Sequence, residues 1–222
     1  MAYRNGPKIT TDGLVLCLDA AISKSYPGSG TTWYDLSGNG YTAIKEGGTT
    51  FLNSNAGIFD FDGTDDYFNT NFNITGNINI TFSCWVQIDD VSDTIIADNS
   101  TGATGFGIRI GAGVYSPFGY GAGAALVLTS NISLLQNTWY NIVTIYTPNR
   151  IDSYINLQNE YITGNMPSII EDTTNDMRIG VRADATDYDF NGRIANFLVY
   201  DKPLSSDEVT QNFNATRGRF GV

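Results

Sequence analysis

The feature that most constrains the fold is a nine-residue segment of strict alternation, Ile80–Ile88. In an extended chain, Phe82, Cys84 and Val86 lie on one face, because successive side chains of a strand point to opposite sides. Trp85 and its polar neighbours lie on the other face. This pattern predicts a β-strand whose apolar side packs against a second layer of structure.

Short strands of this kind are predicted along most of the chain, separated by turns rich in Gly, Asn, Asp and Pro. Leu14–Leu18 is apolar on both faces, which favours a central strand. The predicted strands cover 14–18, 41–45, 57–61, 66–72, 79–88, 94–97, 106–110, 125–129, 139–146, 151–157, 160–162, 177–180 and 190–200. Residues 111–125, rich in Gly, Ala and Tyr, are predicted to form a long loop that packs on a partner or stays mobile.

The end of the chain has a different pattern, typical of a helix. Ser205 and Glu208 are spaced as a capping box, and Gly218 has the position of a helix stop. About a dozen strands and one late helix predict an all-β, antiparallel two-sheet jelly-roll sandwich with one short C-terminal helix. We expect a polar N-terminal arm, residues 1–12, followed by a single domain, residues 13–222.

Composition excludes several classes of protein. The chain has 12 Lys and Arg against 23 Asp and Glu, a net charge of −11, which argues against a nucleic-acid surface or an anionic membrane as partner. It has no histidine, which removes Ser-His-Asp and Cys-His catalysis. We find no segment typical of a signal peptide and none long enough to span a membrane. Cys17 and Cys84 each fall within a predicted strand and are interpreted as buried thiols, with a disulfide as the alternative.

Residues 59–67 place several carboxylates beside a tight corner. Phe59 and Phe61 point toward the core, and Asp62-Gly63 turns the chain into a second strand. The spacing of Asp62, Asp65 and Asp66 allows the turn to bring their oxygens together, as a calcium ion requires. Asp35, in an earlier loop, is a further candidate ligand. The alternative is that these carboxylates cap turn amides. Asp184, Asp187 and Asp189 form a second acidic loop, which we expect to be solvated.

Through several motifs taken in order along the sequence, the chain resembles the concanavalin A-like lectin/glucanase superfamily, in its laminin-G-like jelly-roll branch. The resemblance covers about residues 13–215, in family order, and rests on Trp33–Gly40, Phe61–Tyr67, Ile80–Val86, Trp139–Val143, Met177–Gly180, Phe190–Tyr200 and Leu204–Val209. Three further segments, Leu18–Ala21, Ser25–Trp33 and Asn214–Gly221, are similar to versions carried by tailed bacteriophages as virion proteins.

The resemblance implies a two-sheet fold and functions that range from glycan binding and adhesion to glycan hydrolysis and structural packing. Members often hold calcium at a sandwich edge, so one structural Ca²⁺ is the cofactor to expect here. The glucanase branch uses two Glu flanking an Asp on one strand. This motif is absent, since the four glutamates of the chain are far apart in sequence. The resemblance therefore implies a non-enzymatic member.

Aromatic side chains in loops are the candidate sugar contacts. They are Tyr115, Phe118, Tyr120 and Tyr188, with packing of the loops or of a neighbouring subunit as the alternative. Trp33, Trp85 and Trp139 fall in the strand motifs and are expected in the core.

The sequence supports three hypotheses for function. The leading one is a non-enzymatic virion protein, made in the host cytoplasm, that decorates a capsid or tail. Its partners would be other virion proteins, host-surface glycans or further copies of itself. The second is a cellular or secreted carbohydrate-binding module, and the third is a polysaccharide hydrolase.

Overall fold

The structure, a computed structural model, describes residues 8–74, 76–101, 104–121, 124–164, 169–170, 175–184 and 187–222. Residues 1–7 of the predicted arm therefore lie outside it. The described chain forms two antiparallel sheets packed face to face, with one α-helix near the C-terminus. This confirms the predicted two-sheet sandwich. In these ranges, no helix has the length and apolar character needed to cross a membrane.

The first sheet has eight strands. Its order is β16-β15-β14-β8-β19-β5-β4, and β1 also pairs with β19. The bounds are β1 Leu14–Asp19, β4 Thr50–Leu52, β5 Ile58–Asp62, β8 Ile80–Ile88, β14 Trp139–Thr147, β15 Arg150–Ile155, β16 Gln158–Thr163 and β19 Asn191–Tyr200.

The second sheet has nine strands. Its order is β13-β12-β10-β9-β18-β6-β3-β2, and β11 pairs with β10. The bounds are β2 Thr32–Tyr34, β3 Thr42–Glu46, β6 Tyr67–Thr70, β9 Thr94–Asp98, β10 Phe106–Gly111, β11 Val114–Tyr115, β12 Phe118–Gly121, β13 Ala124–Val127 and β18 Arg178–Ile179. A separate two-stranded pair joins β7, Gly76–Asn77, to β17, Ile169–Ile170.

The main core lies between the two sheets. Phe59 of β5 makes edge contacts with Trp33 of β2 and Phe68 of β6, with ring centroids 4.8 Å apart in both pairs. Such contacts add stability beyond the area that the rings bury. The apolar side of β8 also lies in this core, and Phe82 packs against Tyr146 and Phe197. The predicted alternation of β8 is therefore confirmed.

The outer face of the eight-stranded sheet is covered by the C-terminal helix, α1, Ser206–Thr216. Ser205 and Glu208 form the predicted capping box, and Val209 and Phe213 are buried against the sheet. Trp85, on the outer side of β8, stacks on Phe220 at 4.2 Å and on Phe213 at 5.6 Å. All three tryptophans are buried, as predicted.

Two details of the sequence prediction are wrong, and a third, the buried free thiols, is confirmed. Gly218 does not end the helix, because the chain continues into a 3-10 turn, Arg217–Arg219. The strand β1 is not central, since its second edge meets the loop at Leu36, whose N–H donates to the Cys17 carbonyl at 2.8 Å. Cys17 and Cys84 are both free thiols in different clusters, on opposite faces of the eight-stranded sheet, so the disulfide alternative is excluded.

The predicted long loop at 111–125 is also wrong. Val114–Tyr115, Phe118–Gly121 and Ala124–Val127 are strands that extend the nine-stranded sheet beyond β10. A segment rich in Gly and Ala can still form strands, because the hydrogen bonds between strands come from the backbone and need no large side chain. Gly107 of β10 leaves space that the ring of Phe118 fills, because a Cβ at Gly107 would lie 2.1 Å from the ring's Cζ. Residues 122–123 of the predicted loop lie outside the described ranges.

Candidate functional site

The open face of the sandwich is the outer face of the nine-stranded sheet, since helix α1 covers the outer face of the other sheet. Strand register aligns one row of side chains straight across this face. Opposite one another lie Asn69, Arg178, Asp98, Gly107, Phe118 and Val127, on β6, β18, β9, β10, β12 and β13. Polar groups at one end of the row thus meet apolar groups at the other.

A groove of about 510 Å³ opens on this face. Its volume suits a small ligand or a few sugar units. Three aromatic rings line it, from Phe118, Tyr120 and Tyr188. Charged and amide side chains also line it, from Asp98, Arg109, Asn175, Arg182 and Asp184. A smaller hollow of about 360 Å³ adjoins it at Asn175 and includes Asn69, Asp176 and Arg178.

The aromatic rings are placed by β12 and by the loop that follows β18. Phe118 and Tyr120 are two positions apart on β12 and therefore share a face, with ring centroids 5.7 Å apart. Tyr188 has a φ of +64°, in the left-handed region, and its carbonyl accepts the Ile95 N–H at 2.9 Å. This bond ties the loop to β9 and holds the Tyr188 ring, which is 36% exposed, at the edge of the groove.

Asp98 forms part of the groove floor and is fully buried. Its two carboxylate oxygens accept the backbone N–H groups of Ser100, at 2.8 Å, and Ala183, at 3.1 Å. Burial raises the pKa of the Asp98 carboxyl to about 6, although these hydrogen bonds and the charge of Arg182 oppose the rise. Asp98 therefore fastens the loop after β18 to the end of β9.

The structure brings two of the three tyrosines predicted to bind sugar to one groove. Tyr120 and Tyr188 both line it, whereas Tyr115 is wrong as a contact residue because it lies between the sheets with 0% exposure. The hydroxyl of Tyr115 is hydrogen-bonded to Thr144 in the core. Asp98, Arg109 and Arg178 are site residues that the sequence analysis missed. A signal existed for Arg109, which stands between Ile108 and Ile110 on an otherwise apolar strand.

The acidic corner lies between β5 and β6, which belong to opposite sheets. The carboxylate oxygens of Asp62, Asp65 and Asp66 lie within 4.8 Å of one another. Asp66 is 2% exposed, its Oδ2 accepts the Asp62 N–H at 2.9 Å, and its Oδ1 is buried without a hydrogen-bond partner in the described chain. Burial raises the pKa of Asp66 and the charges of Asp62 and Asp65 raise it further, while hydrogen bonds from the backbone N–H groups of Asp62 and Gly48 oppose the rise.

These three carboxylates form a donor set of the type that calcium prefers, because their oxygens lie close together and one of them, Asp66 Oδ1, is buried. Asp62 also caps the turn, since its Oδ1 accepts the Thr64 N–H at 2.9 Å. Burial raises the pKa of Asp189, and the charges of Asp187, Asp65 and Asp62 raise it further. Asp189 therefore lies near enough to the corner to interact with its charges.

Asp35 does not join this cluster. Its Oδ1 accepts the N–H groups of Cys17 and Ser37, each at 2.8 Å, and its Oδ2 accepts the Ser37 hydroxyl. The carboxylate thereby occupies the second edge of β1, and the sequence could not distinguish this role from metal binding.

A family model described as concanavalin A-like lectin/glucanases superfamily matches residues 62–210, which is 149 of the 222 residues. The match includes Tyr120 and Tyr188 of the groove and the three carboxylates of the acidic corner. A search of curated proteins finds no match.

Solved structures share the fold at low sequence identity. Domain 4 of a GH43 extracellular arabinanase from Geobacillus stearothermophilus, in complex with arabinotriose, has a TM-score of 0.69 and 13% identity; the match covers 91% of this chain and 98% of that domain. A binding domain of botulinum neurotoxin DC in complex with SialylT has a TM-score of 0.69 and 14% identity, over 93% of this chain. The receptor-binding domain of type G botulinum neurotoxin has a TM-score of 0.66 and 17% identity, over 91% of this chain.

The chain spans about half the length of these neurotoxin structures, 52% and 51%. At such identities the similarity shows the fold alone.

Proposed function

Because the chain belongs to the concanavalin A-like lectin/glucanase superfamily, we propose that it is a non-catalytic carbohydrate-binding module. The ligand would lie in the groove on the outer face of the nine-stranded sheet. The observation that carries this proposal is the convergence of Tyr120 and Tyr188 on one groove with charged and amide side chains. Sugars are bound by aromatic faces together with a few well-placed polar groups.

The solved structures support the same proposal by analogy. The arabinanase domain, which this chain matches over almost its whole length, was solved with arabinotriose, and one neurotoxin domain was solved with SialylT. The position of those ligands in their own domains is not carried over to this chain. The groove is assigned here only from its own residues.

A glycan array tests the proposal. We expect saturable binding to at least one glycan, and we expect Tyr120→Ala to weaken it about tenfold, the equivalent of about 1.4 kcal/mol. Tyr161→Ala is the matched control, because Tyr161 is 58% exposed on β16 of the other sheet. Absence of binding to every glycan, or equal losses in the two variants, would contradict the proposal.

Hydrolysis is the second candidate, and Asp98 is the residue that favours it, because a buried carboxyl with a pKa of about 6 resembles a general acid. A glycosidase needs a second carboxylate at a defined separation. The other carboxylate of the larger groove is Asp184, which is paired with Arg182, and both oxygens of Asp98 already hold backbone amides. We therefore favour binding over hydrolysis. Release of reducing ends from any bound glycan, lost in Asp98→Asn, would reverse this choice.

We further propose that the module is carried on a bacteriophage particle, on the capsid or tail surface. The support is the resemblance of Leu18–Ala21, Ser25–Trp33 and Asn214–Gly221 to the versions found in virion proteins. Mass spectrometry of purified virions is the direct test. A chain encoded by a cell and never found in particles would leave the module cellular or secreted.

A further inference from the structure

The geometry points to a ligand class for the groove: an acidic glycan whose sugars carry carboxylates, bound by Arg109 and Arg178. This inference rests on the proposed function, since it concerns the same site. It starts from the ion-pairing of the arginines in a chain where acids outnumber bases by 23 to 12. In such a chain, an arginine without an acidic partner is an exception that needs a reason.

Most described arginines have an acid within 4.0 Å. Arg150 pairs with Asp152, Arg193 with Asp60 and Asp89, and Arg219 with Asp19. Arg182 is likewise paired with Asp184. Within the described ranges, three arginines lack such a pair. One is Arg217, beside Phe213 near the end of the chain. The other two are Arg109 and Arg178, and both line the open face.

Arg178 is held in place but only partly satisfied. Its Nε donates to Asn69 Oδ1 at 2.9 Å, and its guanidinium lies 5.7 Å from the ring centroid of Tyr67. Its Nη1 is buried and has no hydrogen-bond partner among the described residues. A buried donor without an acceptor is costly, and a ligand oxygen at this position would remove that cost.

Arg109 has the same property on the neighbouring side of β9. Its Nε is buried without a partner in the described chain. The edge formed by Nε and Nη2 lies above Gly111, where a Cβ would be 3.3 Å and 3.1 Å from these atoms. Asp93 Oδ1 is also close to this position, 3.0 Å from the same Cβ point, but it forms no ion pair with Arg109 within 4.0 Å. A planar carboxylate matches such an edge with two parallel hydrogen bonds.

The acids around the groove do not neutralise this pair. Asp98 holds two backbone amides, and Asp184 is engaged by Arg182. Asp93 is exposed with its Oδ1 beside Arg109 at Gly111, and Asp176 is exposed in the smaller hollow with Arg178, but neither carboxylate has an oxygen within 4.0 Å of the two guanidinium groups. Neither guanidinium group is therefore ion-paired with a carboxylate of the described chain, although Asp93 lies close to Arg109.

The spacing of the two arginines favours an oligosaccharide. Arg178 is opposite Asp98 on one edge of β9, and Arg109 is opposite Ile95 on its other edge. Both side chains thus lie on the outer face with one strand between them, and the aromatic rings lie beside them. Successive acidic sugars can place carboxylates on both arginines while their ring faces pack on Tyr120 or Tyr188.

The test compares acidic polysaccharides with their own carboxyl-reduced forms, in which each uronic acid has become a neutral sugar. The panel contains polygalacturonate, alginate and hyaluronate, their reduced forms, and neutral arabinan and galactan. We expect binding to at least one acidic polymer and about a tenfold or greater loss on its reduction. This comparison uses the unmodified protein, so it does not depend on any variant folding.

Arginine variants locate the effect. Arg109→Gln and Arg178→Gln are each expected to reduce binding to the acidic polymer about tenfold, while binding to its reduced form stays unchanged. Arg150→Gln is the control, because Arg150 lies on β15 of the other sheet and is already paired with Asp152. Thermal melting confirms that each variant is folded.

The outcomes separate the inference from the proposed function. Equal binding to acidic and reduced polymers, or binding to neutral glycans alone, would overturn the acidic class and leave glycan binding in place. Binding to no polymer of this panel would overturn the inference, and the proposed function would fall with it only if the glycan array also showed no binding. Loss on carboxyl reduction without any effect of the two arginine variants would overturn the assignment to Arg109 and Arg178.

Discussion

At the residue scale, strand register decides which side chains meet in the groove. Asn69, Arg178 and Asp98 are remote in sequence, yet they lie opposite one another on adjacent strands. A one-residue shift of β18 would turn Arg178 into the core and bring Ile179 outward. The register of this short strand is reinforced by Met177, whose carbonyl accepts the Thr70 N–H at 3.1 Å.

The buried carboxyl of Asp98 predicts a specific dependence of stability on pH. Its pKa is raised from 3.8 to about 6 by burial. Between these values the folded state holds a proton that the unfolded state has lost, so the free energy of unfolding falls as pH rises. The full change is about 3 kcal/mol, from about 1.4 kcal/mol for each pKa unit. Asp98→Asn removes this contribution.

Urea unfolding at pH 4 and pH 7 measures the effect. We expect the stability of the wild type relative to Asp98→Asn to fall by about 2 kcal/mol over this range, since the unfolded carboxyl is already mostly ionised at pH 4. Subtracting the free energies of unfolding of the two proteins removes the contribution of every other group that titrates equally in both. Asp207→Asn, at an exposed position in the first turn of α1, controls for the loss of one charge. A constant difference between wild type and Asp98→Asn would contradict the prediction.

Individual site residues were only partly predictable from sequence. Tyr120 alternates with Gly119 and Gly121, which is the alternation typical of a strand. The glycine content of the segment nevertheless favoured the prediction of a loop. Tyr115 is also aromatic and in the same segment, but its side of β11 faces the core. The face of a two-residue strand depends on its partner, β10, and periodicity cannot supply that information.

At the element scale, the corner between β5 and β6 carries the chain from one sheet to the other. Phe61 and Phe68 on its two sides enter the same core, with ring centroids 6.1 Å apart. The sequence predicted two strands and a tight turn here. It could not show that the strands belong to different sheets, because hairpins and corners share the same turn residues.

We propose that this corner binds one calcium ion, and the structure makes the proposal testable. Calcium in large excess over its Kd should add about 2 kcal/mol to stability and raise Tm by about 5 °C. Asp65→Asn should abolish the shift with little effect on the metal-free protein, because in the described chain the Asp65 carboxylate makes no hydrogen bond and is exposed.

Differential scanning calorimetry with calcium and with chelator gives the readout. Asp207→Asn, remote in sequence at the start of helix α1, should keep the full calcium shift. If Tm is the same with calcium and with chelator, the carboxylates serve only as turn caps. In that case Asp66 remains structural through its bond to the Asp62 N–H.

At the scale of the whole molecule, the prediction of a sandwich succeeded because it depended on many weak signals that agree. Each of the thirteen predicted strands overlaps a strand of the structure. The strands that were missed are short, such as β2 and β4, and have too few residues to show alternation. The pairing order across both sheets was beyond the sequence, since it depends on contacts between residues more than a hundred positions apart, as between β8 and β19.

The two cysteines allow a test of whether the sandwich and the elements outside it unfold as one unit. Cys84 lies between the sheets, and Cys17 lies on the outer side of the eight-stranded sheet in a cluster with Leu198 and Val209 of α1. Burial raises the pKa of both thiols to about 12, with Asp19 and Asp35 adding to the effect at Cys17. Neither is a reactive thiolate until its surroundings open.

We therefore expect both thiols to be labelled only as the whole domain unfolds. Single-thiol variants, Cys17→Ala and Cys84→Ala, report on the remaining cysteine in increasing urea. The midpoint of labelling should equal the midpoint of circular dichroism in each variant, if residues 13–222 form the single domain that we predict. Labelling of Cys17 well below that midpoint, with Cys84 still protected, would show that helix α1 and its cluster open independently of the core between the sheets.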